Sequence, residues 1–186
     1  KHTNMKTKSI ILLFLVCYNL NYSFSQRAAK RQVFTTNLEA YQGTWVYKSG
    51  TEIFRVCFKI GSIDSDESRI FGACLLGDYY YSKNNVVLDS YSASAIPLVY
   101  NDQSREQVII FASNGKFESV NYVRPNELYM NFYDKQKKKK VYSGEILLIS
   151  PTKIRWILKD DEGDYDEEDW VESGFSVPSD IILTKE

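Results

Sequence analysis

The strongest constraint on the fold of this chain is a series of short segments in which apolar and polar residues alternate. The clearest is residues 52–60, where two sets of side chains take alternate positions: Phe54, Val56, Phe58 and Ile60 in one set, and Arg55, Cys57 and Lys59 in the other. A period of two places the two sets on opposite faces of a β-strand. We therefore expect this segment to be a strand with one buried face.

Comparable segments recur along the chain, and turn signals such as Ser49-Gly50 and Ser150-Pro151 separate them. The predicted elements are a short helix at 37–41 and strands at 44–48, 52–60, 69–82, 86–91, 107–112, 127–133, 141–149, 153–159 and 180–185. Longer loops are predicted at 61–68 and 92–106. Eight or nine meandering strands favour an all-β, antiparallel up-and-down barrel, which has no exposed edge strands. A two-sheet sandwich is the alternative.

The first 25 residues have the three-part layout of a secretory signal peptide. Positive residues follow Met5, an apolar run occupies residues 10–16, and the small residues Ser23 and Ser25 form the expected cleavage site. The apolar run is too short to span a bilayer, which needs roughly 20 residues. We therefore expect cleavage after Ser25 and a periplasmic or secreted protein with no transmembrane segment.

The expected organisation is upstream residues plus a signal peptide at 1–25, a linker at 26–36 and a single β-barrel domain at 37–186. A lipid anchor at Cys17 is an alternative to release. Val16 precedes this cysteine, however, where a lipoprotein cleavage site normally has Ala, Gly or Ser. Cleavage after Ser25 is therefore the favoured interpretation.

The single histidine of the chain, His2, lies within the segment expected to be removed. A mature protein without imidazole has no Ser-His or Cys-His nucleophile and no His-ligated metal. Acidic residues also do not pair among the apolar strand positions, as a glycosidase site would require. Removing Lys1, Lys6 and Lys8 leaves 20 basic and 24 acidic residues, and a net charge of −4 argues against nucleic-acid binding. The sequence thus predicts a protein that is not an enzyme and has no cofactor or metal.

The tripeptide Gly43-Thr44-Trp45 stands at the start of the first predicted barrel strand, directly after the short helix. A G-x-W at this place resembles the first signature of lipocalins and their calycin relatives. The resemblance implies a barrel in which Trp45 packs across one end, against a basic residue of a late strand, for which Arg155 is the candidate. The alternative is that Trp45 is an ordinary core residue.

The whole layout also resembles small lipocalin-like exported proteins of Bacteroidota that are classed as domains of unknown function. The features that carry this resemblance are the export signal, the Gly-Thr-Trp opening and the final strand within Pro178 to Lys185. The T-D-Y motif of lipocalins is absent. The resemblance implies the fold and no activity.

Cys57 and Cys74 fall in adjacent predicted strands. If the hairpin places Phe58 opposite Ala73, the two cysteines also face each other, on the side opposite the apolar face. An exported protein meets an oxidising compartment, so a cross-strand disulfide is the hypothesis. Two unpaired thiols are the alternative, since directly opposed strand positions lie near the short end of disulfide geometry.

Large apolar side chains occupy the predicted inward faces of several strands: Phe54, Phe58, Tyr79, Tyr81, Met130 and Phe132. Together with small neighbours such as Gly77, they predict a cavity for a small hydrophobic ligand. The alternative is that they fill the barrel, because eight-stranded interiors can be just filled by side chains. Two functions follow: an exported, non-catalytic ligand-binding protein, or an interaction or structural module of the cell envelope with a filled barrel and a protein partner.

Two loops carry most of the clustered charge. A Lys-rich hairpin at 134–140 precedes a strongly acidic run at 160–169. Alternate hairpins of a meander fall at the same end of a barrel, so the two loops are expected to be neighbours that pair loosely or form a surface for a partner. The acidic run does not match the ligand spacing of an EF-hand calcium loop.

Overall fold

The computed structural model describes residues 30–33, 37–114, 126–159 and 173–186. These residues form eleven β-strands, a single turn of α-helix and one 3₁₀ turn at Ala93–Ala95. In chain order the elements are β1 (Arg31–Val33), α1 (Leu38–Tyr41), β2 (Gly43–Ser49), β3 (Glu52–Ser65), β4 (Ile70–Lys83), β5 (Val86–Asp89), β6 (Val99–Tyr100), β7 (Ile110–Ser113), β8 (Glu127–Asp134), β9 (Lys139–Ser150), β10 (Lys153–Ile157) and β11 (Asp180–Lys185).

Eight of the strands close into an antiparallel up-and-down barrel. β2, β3, β4, β7, β8, β9, β10 and β11 pair in chain order. β11 then returns to β2, where Lys185 lies opposite Trp45 and Thr184 opposite Val46. The barrel predicted from the alternating segments is confirmed, and closure gives each of these strands a partner on both sides.

The longest hairpin, β3–β4, extends beyond the barrel wall. Each of its strands has 14 residues, and β3 continues to Ser65 through part of the segment where the sequence predicts a loop. Gly61 has the appearance of a strand break, yet it serves a close approach: a Cβ added there would lie 2.7 Å from Leu98 O. The loop prediction for 61–65 is wrong because this glycine makes room for a neighbouring chain segment.

Two very short parallel strands flank the extension of the hairpin. β1 pairs with β4, with Arg31 opposite Ile70, and β6 pairs with β3, with Val99 opposite Ser62. β1 lies within the segment interpreted as a linker, and β6 lies within a predicted loop. Strands of two or three residues are too short for alternation to be visible in a sequence.

The strands separate two hydrophobic clusters. The larger lies inside the barrel and takes inward side chains from all eight barrel strands. The smaller lies outside it, where the loop 90–109 covers the outer face of the β3–β4 hairpin; its buried members are Cys57, Ile63, Ile70, Cys74, Leu76, Ile96, Val108 and Phe111. The hairpin is thus covered on both faces. This explains why apolar residues of β3 and β4 occupy outward positions as well as inward ones.

Candidate functional site

The six residues predicted to line a ligand cavity all lie inside the barrel, and none is more than 3% exposed. The rings of four of them, Phe54, Tyr79, Tyr81 and Phe132, form a connected set of contacts. The ring centroids of Phe54 and Tyr79 are 5.8 Å apart, and those of Tyr79 and Phe132 are 5.2 Å apart. Trp156 bridges the group, with centroid distances of 5.4 Å to both Phe54 and Phe132. These spacings are those of packed aromatic pairs.

A short segment closes the upper end of the barrel, the end that carries the β2–β3, β4–β5 and β8–β9 turns. We call residues 173–179 the cap segment. Asp134, which is fully buried, accepts hydrogen bonds from Ser176 N at 2.6 Å and Ser176 Oγ at 2.5 Å. Val177 joins the barrel core, and Trp156 Nε1 donates to a main-chain oxygen of the cap segment at 3.2 Å. The interior is therefore covered from above.

The lower end is closed by α1 and the Gly-x-Trp segment. Trp45 is fully buried, and its Nε1 donates to Tyr41 O at 2.7 Å. Lys185 Nζ lies 5.0 Å from the centre of the Trp45 ring and also donates to Ala40 O at 3.3 Å. The Trp therefore packs across the end of the barrel against a basic residue of the last strand.

That basic residue is not the one expected from the sequence. Arg155 points away from the core and forms a two-bond ion pair with Asp180, with distances of 2.8 and 2.7 Å. The prediction for Arg155 is wrong because its position on β10 alternates outward, between the buried Ile154 and Trp156. Gly43, with φ of 115°, adopts a backbone conformation that favours glycine and leads α1 into β2.

The predicted disulfide is also not formed. Cys57 lies opposite Asp78 and Cys74 opposite Gly61, so the two sulfurs share the outer cluster but are four positions apart along β4. Four strand residues span roughly 13 Å, well beyond the Cα separation that a disulfide bridges. The register differs from the expected one because β3 runs on past Gly61 and the turn falls later in the chain. Burial raises the pKa of the Cys74 thiol to about 12.

A seam of side-chain contacts joins β4 to the β8–β9 turn where the main-chain ladder stops. β4 pairs with β7 over three residues. Beyond them Lys135 Nζ lies 2.5 Å from Asp78 Oδ1, the Tyr79 hydroxyl accepts a hydrogen bond from Lys135 N at 3.1 Å, and Gln136 Nε2 donates to Leu88 O at 2.6 Å. Burial raises the pKa values of Asp78 and Tyr79, against the opposing influence of Lys135. Much of the Lys-rich hairpin is thus structural.

The acidic run at 160–169 lies outside the described residues. The segments on either side of it do reach the β8–β9 region: Lys137 Nζ donates to Ser173 O at 2.6 Å, and Ser143 Oγ donates to Lys159 O at 2.9 Å. The expected pairing of the two charged loops stays a prediction.

A groove of about 310 Å³ lies on the outer wall of the barrel, between the loop 100–108 and the outward faces of β7, β8 and β9. Five of its twelve lining residues are aromatic: Tyr100, Phe111, Phe132, Tyr133 and Tyr142. Phe132 also belongs to the barrel core. The Tyr100 and Phe111 rings pack with their centroids 4.7 Å apart. Tyr142 is 65% exposed, so its ring is open to solvent at the groove.

Charged and amide groups complete the groove. Arg105 and Glu106 come from the loop, and Asn131 and Lys140 come from β8 and β9. Arg105 Nη1 lies 2.6 Å from Glu67 Oε2. Burial raises the pKa of Tyr100, and Arg105 acts in the opposite direction. The groove therefore combines ring faces with hydrogen-bonding groups of both signs.

Sequence reasoning missed this groove. Its residues come from two separate parts of the chain, 100–111 and the β8–β9 hairpin at 131–142, and 92–106 reads only as a loop. One signal was available: tyrosines occupy outward positions on β8 and β9, where a solvated face would normally carry charged residues. Tyr133 and Lys140 are direct cross-strand partners in this group.

Among the described residues, no group of three or more His, Cys, Asp or Glu has the arrangement needed to hold a metal ion. No helix in the described ranges is long and apolar enough to cross a membrane.

Comparison with known proteins gives one match. The model of a family described as "Family of unknown function (DUF6705)" matches residues 5–186. No curated protein and no solved structure is significantly similar to the chain.

Proposed function

The chain belongs to this family of unknown function, and we propose that it is a non-catalytic interaction or structural module of the cell envelope, in which the filled barrel is a scaffold for contacts made on the outer surface. The observation that carries the proposal is the continuous ring packing in the interior. Phe54, Tyr79, Phe132 and Trp156 contact one another with centroid distances of 5.2 to 5.8 Å. A carrier of hydrophobic ligands needs a cavity of roughly 300 Å³ or more at that place.

The closed upper end supports the same proposal. A ligand entering from that end would have to displace the cap segment, which Asp134 holds through two short hydrogen bonds to Ser176. Hydrogen bonds to a buried carboxylate are among the stronger ones in proteins. Opening would also expose Val177, which belongs to the core.

The inventory of reactive groups supports a non-catalytic role. The one histidine of the chain is His2. The partly buried pair Lys135 and Asp78 joins two elements of the barrel, so both charged groups are engaged in a structural contact. The Cys74 thiol, with a pKa of about 12, is a poor nucleophile at neutral pH.

Export is part of the proposal and rests on the signal-peptide layout of residues 5–25. The decisive measurement is the intact mass of the protein recovered from the periplasm or the medium of its own host. We expect a chain that begins at Gln26. Recovery of the uncleaved chain from the cytosol would overturn the envelope assignment.

The filled barrel is tested by native mass spectrometry of protein purified from its own host, combined with titration of an apolar fluorescent dye. We expect the mass of the polypeptide alone and no dye uptake. A co-purifying apolar molecule, or saturable dye binding that is weakened by Phe58→Trp, would instead establish the carrier function.

A further inference from the structure

We propose that the outer groove is a binding site for a short saccharide that carries one carboxylate. This proposal rests on the proposed function, because it places the contacts of the interaction module on the outer wall of the barrel. The groove holds about 310 Å³, near the lower limit for small-molecule sites. A space of this size suits one or two sugar units.

The aromatic walls supply the first part of the argument. Pyranose rings present a flat face of C–H groups, which packs on aromatic rings, and a rim of hydroxyls. Tyr142 offers such a ring to solvent, and the Tyr100 and Phe111 rings form a second surface across the groove. Covering the Tyr142 ring with a ligand would remove apolar surface from water, which is favourable.

Free hydrogen-bonding capacity supplies the second part. In the described part of the chain, the amide of Asn131 and the hydroxyls of Tyr133 and Tyr142 make no hydrogen bond. Amide, hydroxyl and carboxylate groups side by side match the vicinal hydroxyls of a sugar, which both donate and accept. A purely apolar ligand would cover these groups without satisfying them, at a cost of about 1–3 kcal/mol for each buried group.

The balance of charge sets the number of negative groups on the ligand. Arg105 is offset by Glu67 at 2.6 Å, and Glu106 adds a negative charge at the groove. Lys140 has no ion-pair partner among residues 30–33, 37–114, 126–159 and 173–186. Among the described lining residues, Lys140 is therefore the cation with which one ligand carboxylate can pair. A nucleotide or another multiply charged ligand would meet Glu106 without enough positive charge.

The local backbone also fits a recognition surface. The β8–β9 ladder shifts register between Met130 and Phe132, so that Asn131 lies at a bulge. A bulge changes the direction of its side chains and is common beside functional sites. Here it brings Asn131 of β8 to the same groove as Tyr142 of β9.

The test is a titration of the full folded protein with cellobiouronate, a disaccharide with one carboxylate, with cellobiose as the neutral probe and a blocked Gly-Asp-Gly peptide with one carboxylate as the acidic non-sugar probe. We expect saturable binding of cellobiouronate with a Kd of about 1 mM or tighter, weaker binding of cellobiose and none of the peptide. Tyr142→Ala should weaken cellobiouronate binding about tenfold, since one aromatic contact of this kind is lost. Lys140→Gln should weaken cellobiouronate binding and leave cellobiose binding unchanged.

Two matched variants control for general effects of substitution. Ile182→Ala removes a 52% exposed apolar side chain on β11, and Lys153→Gln removes an exposed charge on β10; neither residue lines the groove. Both should bind cellobiouronate as the unsubstituted protein does. Absence of binding, equal binding of cellobiose, preference for the peptide, or equal losses in the control variants would each overturn the saccharide assignment. Ligand-induced NMR shifts at Phe54 and Phe58, which do not line the groove, would instead overturn the filled-barrel proposal, so the two failures are distinguishable.

Discussion

Lys185 and Trp45 face each other across the joint at which the last strand of the barrel meets the first, with Lys185 Nζ 5.0 Å from the centre of the indole ring. The pair lies where the barrel closes, at its shortest ladder, because β11 and β2 pair at two positions. A cation held over a buried indole stabilises a fold by about 0.5–2 kcal/mol.

Replacing Lys185 by Met should lower the free energy of unfolding by about 1–2 kcal/mol, because the cation–π contact is lost while the apolar stem is retained. Urea denaturation measures the change, with Lys153→Met as the control at an exposed position of the neighbouring strand. An unchanged midpoint for Lys185→Met would show that the joint does not depend on the cation.

Phe132→Ala should lower the free energy of unfolding by about 3–5 kcal/mol, because it leaves a void between Tyr79 and Trp156 that the packed rings cannot fill. Chemical denaturation with Phe71→Ala, a 39% exposed ring on β4, gives the comparison. If the two substitutions had equally small effects, the barrel interior would be loosely packed and the ligand-carrier hypothesis would gain support.

Asp134→Ala should release the cap segment. The carboxylate accepts hydrogen bonds from the main chain of Gln136 and Lys137, both at 3.1 Å, in addition to those from Ser176. We expect faster amide hydrogen exchange at residues 175–177. We also expect the free energy of unfolding to fall by about 3 kcal/mol, because the hydrogen-bond donors around Asp134 lose their acceptor while they are buried. Glu39→Ala, at an exposed residue of α1, should change neither quantity.

The alternation of apolar residues was enough to predict the barrel because it depends on a local rule. Phe54 and Phe58 must lie on one face of a strand whatever their neighbours do. The register of the β3–β4 hairpin could not be predicted in this way. It depends on Leu98 packing over Gly61, a contact between segments more than thirty residues apart. Identifying Lys185 instead of Arg155 as the Trp45 partner likewise required knowing which strand closes the barrel.

The outer groove lay further beyond sequence reasoning. Tyr100 and Tyr142 belong to β6 and β9, which meet only after the chain has folded back on itself. Residues that line such a surface need no periodicity, because the backbone between them is irregular. Their composition is visible in a sequence, but their proximity is a property of tertiary structure.

Asp102 should make the stability of the protein depend on pH in the acidic range. Its carboxylate accepts hydrogen bonds from Ser65 Oγ at 2.6 Å and from Asp66 N at 2.9 Å, and these hold its pKa below the usual value for aspartate. A lowered folded-state pKa means that the contribution is present above about pH 4 and is lost as the pH falls through the folded-state pKa. Asp102→Asn should reduce the loss of stability on acidification; NMR titration of the carboxyl group that gave an ordinary aspartate pKa would contradict this.

Cys57 and Cys74 should remain reduced even when the protein is recovered from an oxidising compartment. They lie opposite Asp78 and Gly61 respectively, and the roughly 13 Å between their positions on the sheet cannot be spanned without breaking the ladder of the hairpin. Both are buried, and burial raises the pKa of Cys74 to about 12, so the thiolate that reacts with an alkylating agent is scarce in the folded state. Maleimide labelling followed by mass spectrometry should therefore modify neither thiol in native protein and both in urea. The single variants Cys57→Ser and Cys74→Ser identify the signal of each thiol. A mass lower by two hydrogens in the non-reduced protein, and not in either variant, would show that Cys57 and Cys74 form a disulfide and would contradict the register of the hairpin.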